Sequence, residues 1–282
     1  MVDLSIVIVS WDEKKKLRRN LEKIYKSRGN FSYEVYVVDN NSSDGSAEMV
    51  REEFPEVNLI EKKETVGFAA ASNKALSEMM KIYSGKISKY VLLLRVDMKL
   101  KSNTLINTLK WMEENPQAGV AGCHLVNEAG ETVRSVRKFP HLLDQLVIIF
   151  GLTDRFPKVV RDYLQLDFNY ENDKQVSSIM GGFFMMNTHA FKNRPFLDEQ
   201  YYFWFEEIDF CRHMYKYNDG SEVWYTAVAE CGSPEGTNSL LLPSGDKLIH
   251  FRNSQLKYFR RWLPYWQYLV LRLAWLIRGV KK

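Results

Sequence analysis

The chain has 282 residues, 45% of them apolar and 26% charged, and a formal net charge of +4. Length and apolar content fit one large α/β domain with a short appendage and exclude a disordered chain; no internal repeat points to a solenoid. Cys123, Cys211 and Cys231 are odd in number and in no CxxC spacing, which excludes a disulfide framework or a zinc site and leaves buried, reduced thiols. The N-terminus, MVDLSIVIVSWDEKKK, lacks a basic n-region, and no run of 18 apolar residues occurs, so the sequence predicts neither a signal peptide nor a bilayer span and places the protein in the cytoplasm.

Residues 4–9 (LSIVIV) are a continuous β-branched run, as in a strand buried on both faces. Helical spacing of charged residues follows from Asp12 to Lys26, and a second strand covers 34–38 (EVYVV). It ends in Asp39-Asn40-Asn41-Ser42-Ser43-Asp44-Gly45, a loop in which Asp44 reads as a helix cap. A third strand at 57–61, a helix from Phe68 to Tyr83 and a buried strand at 90–94 complete a βαβ series. A helix is predicted over 101–115, then strands at 119–126 and 132–139; residues 141–175 show no clear period. Residues 176–187 (VSSIMGGFFMMN) read as one strand with a glycine pair, Gly181-Gly182, marking a bulge or a close backbone approach. The aromatic run Tyr201–Phe205 leads into Glu206-Glu207-Ile208-Asp209.

Strands alternating with helices predict a mostly parallel sheet flanked by helices. Right-handed crossovers bring the strand C-termini to one edge, where open α/β sheets bind ligands. Ser10, Asp39 and Asp97 stand just at or after such ends, so three polar residues far apart in sequence are expected in one crevice.

The ordered set VSW, VVDNNSSDGS, GFAAASN, LLLRVD, GGFFMM and FLDEQYYFWFEEIDFCR, spread over about residues 4–217, resembles family 2 glycosyltransferases of the GT-A fold, in particular the rhamnosyltransferase-like branch. The resemblance implies an inverting, metal-dependent enzyme that moves a sugar, rhamnose among the candidates, from a UDP- or dTDP-sugar to a glycan or lipid-linked acceptor in cell-surface polysaccharide synthesis. It implies a nucleotide-binding half (1–100) and an acceptor half (101–255). Nucleotide contacts fall on Ser10, Asp39 and Gly67, with Asp39 accepting a ring N–H of the base. Asp97 is the last carboxylate of the family's metal motif and would hold Mg²⁺ or Mn²⁺ on the diphosphate. Glu207 takes the place of the general base, supported by Glu206 and Asp209, whose like charges raise the proton affinity of the cluster. Gly181, Gly182 and Trp204 lie on the acceptor side. The sequence departs from the family's pattern at Thr65-Val66-Gly67, where Asn usually precedes the GFA motif, at Arg95-Val96, where Asn-Pro is often found, at Glu207 in place of Asp, and in the lack of a histidine near Val228–Ser233. Glu230 or His250 would have to stand in as the missing metal ligand.

Residues 247–282 carry nine Lys or Arg and no acid; taking these from the 39 basic residues leaves 30 against 35 acidic ones, a net of −5 for 1–246. From Pro264 onwards Trp266, Leu269, Val270, Leu273, Ile277 and Val280 share a helical face, with Arg261, Tyr268, Arg272, Gly279 and Lys282 mostly opposite. This basic amphipathic segment, 256–282, is expected to meet an anionic membrane at its cytoplasmic side through residues 258–282, or to pack on the body or in a homodimer. No nucleic-acid recognition fold is visible. Two further readings stay open: a nucleotidyltransferase, which would want a Gly-rich basic loop where Ser10-Trp11-Asp12-Glu13 stands, and a family member that binds nucleotide-sugar or glycan without turnover.

Overall fold

The computed structural model describes residues 2–83, 86–191, 196–217, 221–234, 243 and 245–279. The chain runs β1 (Leu4–Ser10), α1 (Lys14–Tyr25), β2 (Tyr33–Asp39), α2 (Ser46–Glu53), β3 (Asn58–Glu61), α3 (Phe68–Ile82), β4 (Tyr90–Leu94), β5 (Lys99–Leu100), α4 (Thr104–Glu114) and β6 (Ala118–Val126). There follow β7 (Val136–Arg137), α5 (Leu142–Ile149), α6 (Pro157–Tyr163), β8 (Lys174–Gln175), β9 (Ser178–Ile179), β10 (Phe183–Asn187), α7 (Glu206–Tyr217), β11 (Glu222–Gly232), α8 (Asp246–Trp262) and α9 (Tyr265–Ile277).

Among the described residues, nine strands form the main sheet in the order β3-β2-β1-β4-β10-β6-β11-β5, with β8 on β11. The first four strands are mutually parallel. β10 enters antiparallel between β4 and β6, and β11 runs parallel to β6. The sheet is mixed and mostly parallel, with helices on both faces, as expected. Period-2 alternation sorts each apolar run onto both faces. Leu4, Ile6 and Ile8 of β1, Val35 and Val37 of β2, and Leu92 and Leu94 of β4 join one core with α1 and α4. Val7, Tyr36, Val38, Val91 and Leu93 join a second core with α3 and α7. Burial on both faces explains why these strands carry no polar alternation.

Two expected strands are corrected. The stretch 132–139 contributes only the two residues of β7 and an isolated bridge between Val126 and Thr132. The stretch 176–187 is not one strand: β9 pairs with β7 in a separate two-stranded sheet, and β10 joins the main one. The chain changes sheets across Met180-Gly181-Gly182. A Cβ on Gly182 would sit 3.2 Å from Met98 Sδ, a close approach that the Met98 side chain would have to yield to by a few tenths of an ångström.

The expected boundary between 255 and 256 falls inside α8. α8 and α9 form a helical hairpin bent at Pro264, and its inner face is part of a third core with α5 and the 201–205 segment. Gln255 Nε2 donates to Gln145 Oε1 at 2.6 Å and Trp275 Nε1 donates to Gln255 Oε1 at 2.7 Å, so the buried amides are satisfied. The buried residues of α9 are Leu271, Ala274 and Trp275, whereas most of the expected apolar stripe points outward: Trp266, Leu269, Val270, Leu273 and Ile277 are exposed, as is Leu276. Val280 and Lys282 lie outside the described residues.

Candidate active site at the carboxyl edge of the sheet

The register places Ser10 beside Asp39 at the ends of β1 and β2. β10 is antiparallel, with Phe183 opposite Leu94, so Gly181 and Gly182 precede it at the edge where β4 ends. The Arg95 amide donates to Gly182 O at 3.0 Å and joins the two. Glu207 reaches the same edge, its side chain about a van der Waals contact (3.9 Å) from the Cβ that Gly181 lacks. Thus Ser10, Asp39, Arg95, Asp97, Gly181, Gly182 and Glu207, drawn from over 190 residues of chain, converge as strand order dictates.

Asp39 is 4% exposed; its Oδ2 accepts the Ser42 amide at 3.0 Å, while its Oδ1 is buried with no partner, and so is Ser10 Oγ. An unpartnered buried carboxylate oxygen at a strand end costs stability unless a donor arrives, which is what a ligand N–H supplies. The loops around it are tied together. Ser43 N donates to Asp12 Oδ1 at 2.7 Å, and Asp44 accepts the amides of Lys14 and Ser46, capping α1 and α2 at once. Asn40 exchanges two hydrogen bonds with Val66, at 2.8 and 3.0 Å, and fixes the loop that leads into α3. Its importance was not visible in sequence, because the bond spans 26 residues.

Gly67 packs against the 201–205 segment. A Cβ there would lie 2.7 Å from both Cα and O of Tyr202, and the Phe68 amide donates to Tyr202 O at 3.0 Å. Gly67 lets the nucleotide half touch the 201–205 segment.

That segment ends on two consecutive aromatic residues in the left-handed region, Trp204 at φ 65° and Phe205 at φ 69°. Bulky residues there cost on the order of 1–3 kcal/mol each, and such strain clusters at functional sites. It turns the chain so that α7 begins at Glu206. Trp204 itself packs edge-on against Phe251 of α8, with ring centres 5.9 Å apart.

The acidic cluster divides. Glu206 is buried, with Oε2 unpartnered; burial foremost, and then the charge of Glu207, push its carboxyl well above the usual range. Like-charge repulsion is therefore the smaller of its two causes. Asp209 points away into the third core. It accepts from Trp262 Nε1 at 2.6 Å, Tyr201 OH at 2.9 Å and Arg261 Nη1 at 3.1 Å. Burial raises its pKa although all three donors oppose it. Asp209 clamps α8 to α7, with both of its oxygens already accepting hydrogen bonds. Asp144 of α5, in the stretch without a readable period, is pushed up to about 6 by burial and closes a capping box with His141.

Asp97 lies in a turn closed by Met98 N to Arg95 O at 3.1 Å. Asn20 of α1, 1% exposed, props this turn by donating to the carbonyls of Arg95 and Val96, both at 3.2 Å. Asp97 Oδ1 accepts from Arg95 Nε at 2.6 Å. Of the two stand-in ligands, Glu230 pairs with Lys101, and the His250 ring stacks on Tyr202 with centres 4.3 Å apart. Among the described residues no three His, Cys, Asp or Glu side chains gather as a metal site. One Asp97 oxygen is thus engaged by a guanidinium at the place where the expected Mg²⁺ or Mn²⁺ would sit.

The model of the family "Glycosyl transferase family 2" matches residues 5–193, which contain the donor edge. The chain belongs to glycosyl transferase family 2. It is similar to the rhamnosyltransferase WbbL of Escherichia coli (strain K12), 25% identical over 210 residues, 74% of this chain and 75% of that protein. It is also similar to the N-acetylglucosaminyl-diphospho-decaprenol L-rhamnosyltransferase of Mycobacterium tuberculosis (strain CDC 1551 / Oshkosh), 20% identical over 254 residues, 87% and 80% of the two chains. In fold it is similar to the mannosyltransferase PcManGT from Pyrobaculum calidifontis, solved with GDP-Man and Mn²⁺, with a TM-score of 0.57 at 17% identity over 98% of this chain and 70% of that one. The fold is therefore GT-A, and the protein is a glycosyltransferase.

Proposed function

We infer that this glycosyltransferase moves a sugar, rhamnose by similarity to the named relatives, from a UDP- or dTDP-sugar to a hydroxyl of a lipid-linked glycan acceptor, with inversion, in polysaccharide synthesis. The observation that carries the reading is the unpartnered Asp39 Oδ1, buried at the same sheet edge that Glu207 reaches across Gly181. Asp39 receives the ring N–H of the base; Ser10 Oγ offers a second polar contact. Glu207 takes the proton of the acceptor hydroxyl as its oxygen bonds to the anomeric carbon and the bond from that carbon to the diphosphate breaks on the opposite face. Burial foremost, and then the neighbouring Glu207, raise the proton affinity of Glu206, which lies beside the base.

The outward face of α9 supports work at a membrane surface. Trp266, Leu269, Leu273, Leu276 and Ile277 stand exposed beside Arg272 and Arg278, and the last 36 residues hold no acid. No helix among the described residues is long and apolar enough to cross a bilayer, so the attachment proposed is interfacial.

The test is a calorimetric titration of the protein and of Asp39→Ala with UDP, dTDP and GDP. The parent chain is expected to bind UDP or dTDP and the variant to bind it about ten- to a hundredfold more weakly, the loss of one charge-assisted hydrogen bond. Equal affinity in both proteins would show that Asp39 does not read the base.

A further inference from the structure

The turn joining α5 to α6 carries apolar side chains that none of the cores takes up. Phe150, Leu152 and Phe156 are 41%, 38% and 44% exposed, and Leu143 of α5 is exposed as well. The turn is bound by its own backbone. Gly151, at φ 66°, ends α5: its amide donates to Ile148 O at 3.1 Å, and the Leu152 amide reaches back to Val147 O at 2.9 Å. The Arg155 and Phe156 amides then both donate to Leu152 O, at 3.1 and 2.9 Å, and lead into α6. An ordered turn thus holds three large apolar side chains toward water, a cost with no return in an isolated domain.

Charge and position point to the partner. From Gln145 to Arg161 the sequence holds one acid, Asp154, against Arg155, Lys158 and Arg161. Arg161 is paired with Asp167, whereas Arg155 and Lys158 have no carboxylate within ion-pair distance among the described residues. Two copies of the chain meeting through this patch would bring those cations together, and an anionic surface would not. Ile149, the residue before Phe150, is buried in the third core with Leu271, Ala274 and Trp275, so the turn stands beside the helix whose outward face is apolar. A single helix lying on a surface can roll about its own axis. A second contact off that axis fixes how the carboxyl edge of the sheet is presented to the surface.

We propose that the α5–α6 turn is a second membrane contact: Phe150, Leu152 and Phe156 enter the interface of an anionic bilayer beside α9, and Arg155 and Lys158 meet its lipid phosphates. The proposal rests on the interfacial reading of α9 above, and its test separates the two. Cys123, Cys211 and Cys231 are buried, so a cysteine placed at the surface takes a nitroxide label alone. Leu152→Cys, Trp266→Cys and, on α2, Glu52→Cys are each labelled in the full chain. Collisions of the label with oxygen and with a water-soluble nickel chelate are read by electron paramagnetic resonance, with and without phosphatidylglycerol vesicles. On vesicles the labels at positions 152 and 266 are expected to gain oxygen contact and lose nickel contact, and the label at position 52 to change in neither. Phe150→Ser with Phe156→Ser should weaken vesicle binding at least about tenfold in flotation with the melt unchanged, since both side chains are exposed. A label at position 152 that stays in water while that at 266 inserts overturns the role of the turn and leaves that of α9. A label at 152 that is shielded from both reagents without vesicles, increasingly so at higher protein concentration, marks a contact between copies and overturns it too. If neither label inserts, the turn and α9 both lose their membrane role.

Discussion

Gly67→Ala separates a spacer from a nucleotide contact, two roles that predict different outcomes. The added Cβ would sit 2.7 Å from both the Cα and the carbonyl oxygen of Tyr202 and 3.1 Å from Tyr201 O. Ordinary contact begins at 3.4 Å, so the 201–205 segment must retreat by about 0.7 Å, and backbone cannot rotate away as a side chain would. The Phe68 amide bond to Tyr202 O is lost or lengthened in that movement. Overpacking of this kind costs about 1–3 kcal/mol. The chemical consequence is larger, because the displaced segment runs directly into Glu206 and Glu207. A catalytic group misplaced by about 1 Å can cost on the order of a hundredfold in rate. The expected outcome is a modest drop in urea midpoint, a nucleotide Kd within about twofold of the parent, and turnover down about a hundredfold, measured as sugar transfer or as slow donor hydrolysis. A variant that loses nucleotide affinity while keeping its melting behaviour would refute the steric reasoning and return Gly67 to the nucleotide site.

Three further outcomes are expected. Glu207→Gln should retain nucleotide binding and lose about a hundred- to ten-thousandfold in transfer, since the amide cannot take the acceptor proton; full transfer in this variant would move the base elsewhere. Glu206 has its folded pKa raised above its unfolded value, so its contribution to stability is present in full below the unfolded pKa of 4.5 and is lost as pH rises through the folded pKa. Glu206→Gln should therefore flatten the fall of stability above pH 4.5 and melt higher than the parent at pH 8, in thermal scans across that range. On α9, Trp266→Ser with Leu273→Ser should abolish salt-sensitive binding to phosphatidylglycerol vesicles in a flotation assay with the melt unchanged, because both side chains are exposed, whereas Leu271→Ala, wholly buried, should cost about 2–5 kcal/mol. Vesicle binding unaffected by the double change would sink the interfacial role.

Sequence alone determined the nucleotide half of this protein. Strands such as Ile6–Ile8 and Val91–Leu94 are apolar on both faces, and an all-apolar run of that length between helical periods has few homes other than the middle of a parallel sheet. Once the strands are parallel, crossover handedness places Ser10, Asp39 and Asp97 at one edge without further information. The resemblance added the family and the order of the motifs.

Tertiary structure decided whatever depends on partners distant in sequence. Period and composition cannot show that the strand at 176–187 is broken between two sheets, because the break depends on which distant strands its two halves pair with, β7 for one and β4 and β6 for the other. They cannot separate three carboxylates within a four-residue stretch, yet Trp262, Tyr201 and Arg261 take Asp209 out of the site, while burial foremost, and then Glu207, raise the proton affinity of Glu206. Asn20 and Asn40 look like ordinary polar residues until their amides are seen holding the turns that carry Asp97 and Gly67. The helical face of α9 was legible as a stripe, but which side meets the body was not. Two apolar faces share that helix, and only the packing of Trp275 on Gln255 and α8 shows which is spent on the fold and which is left for another surface.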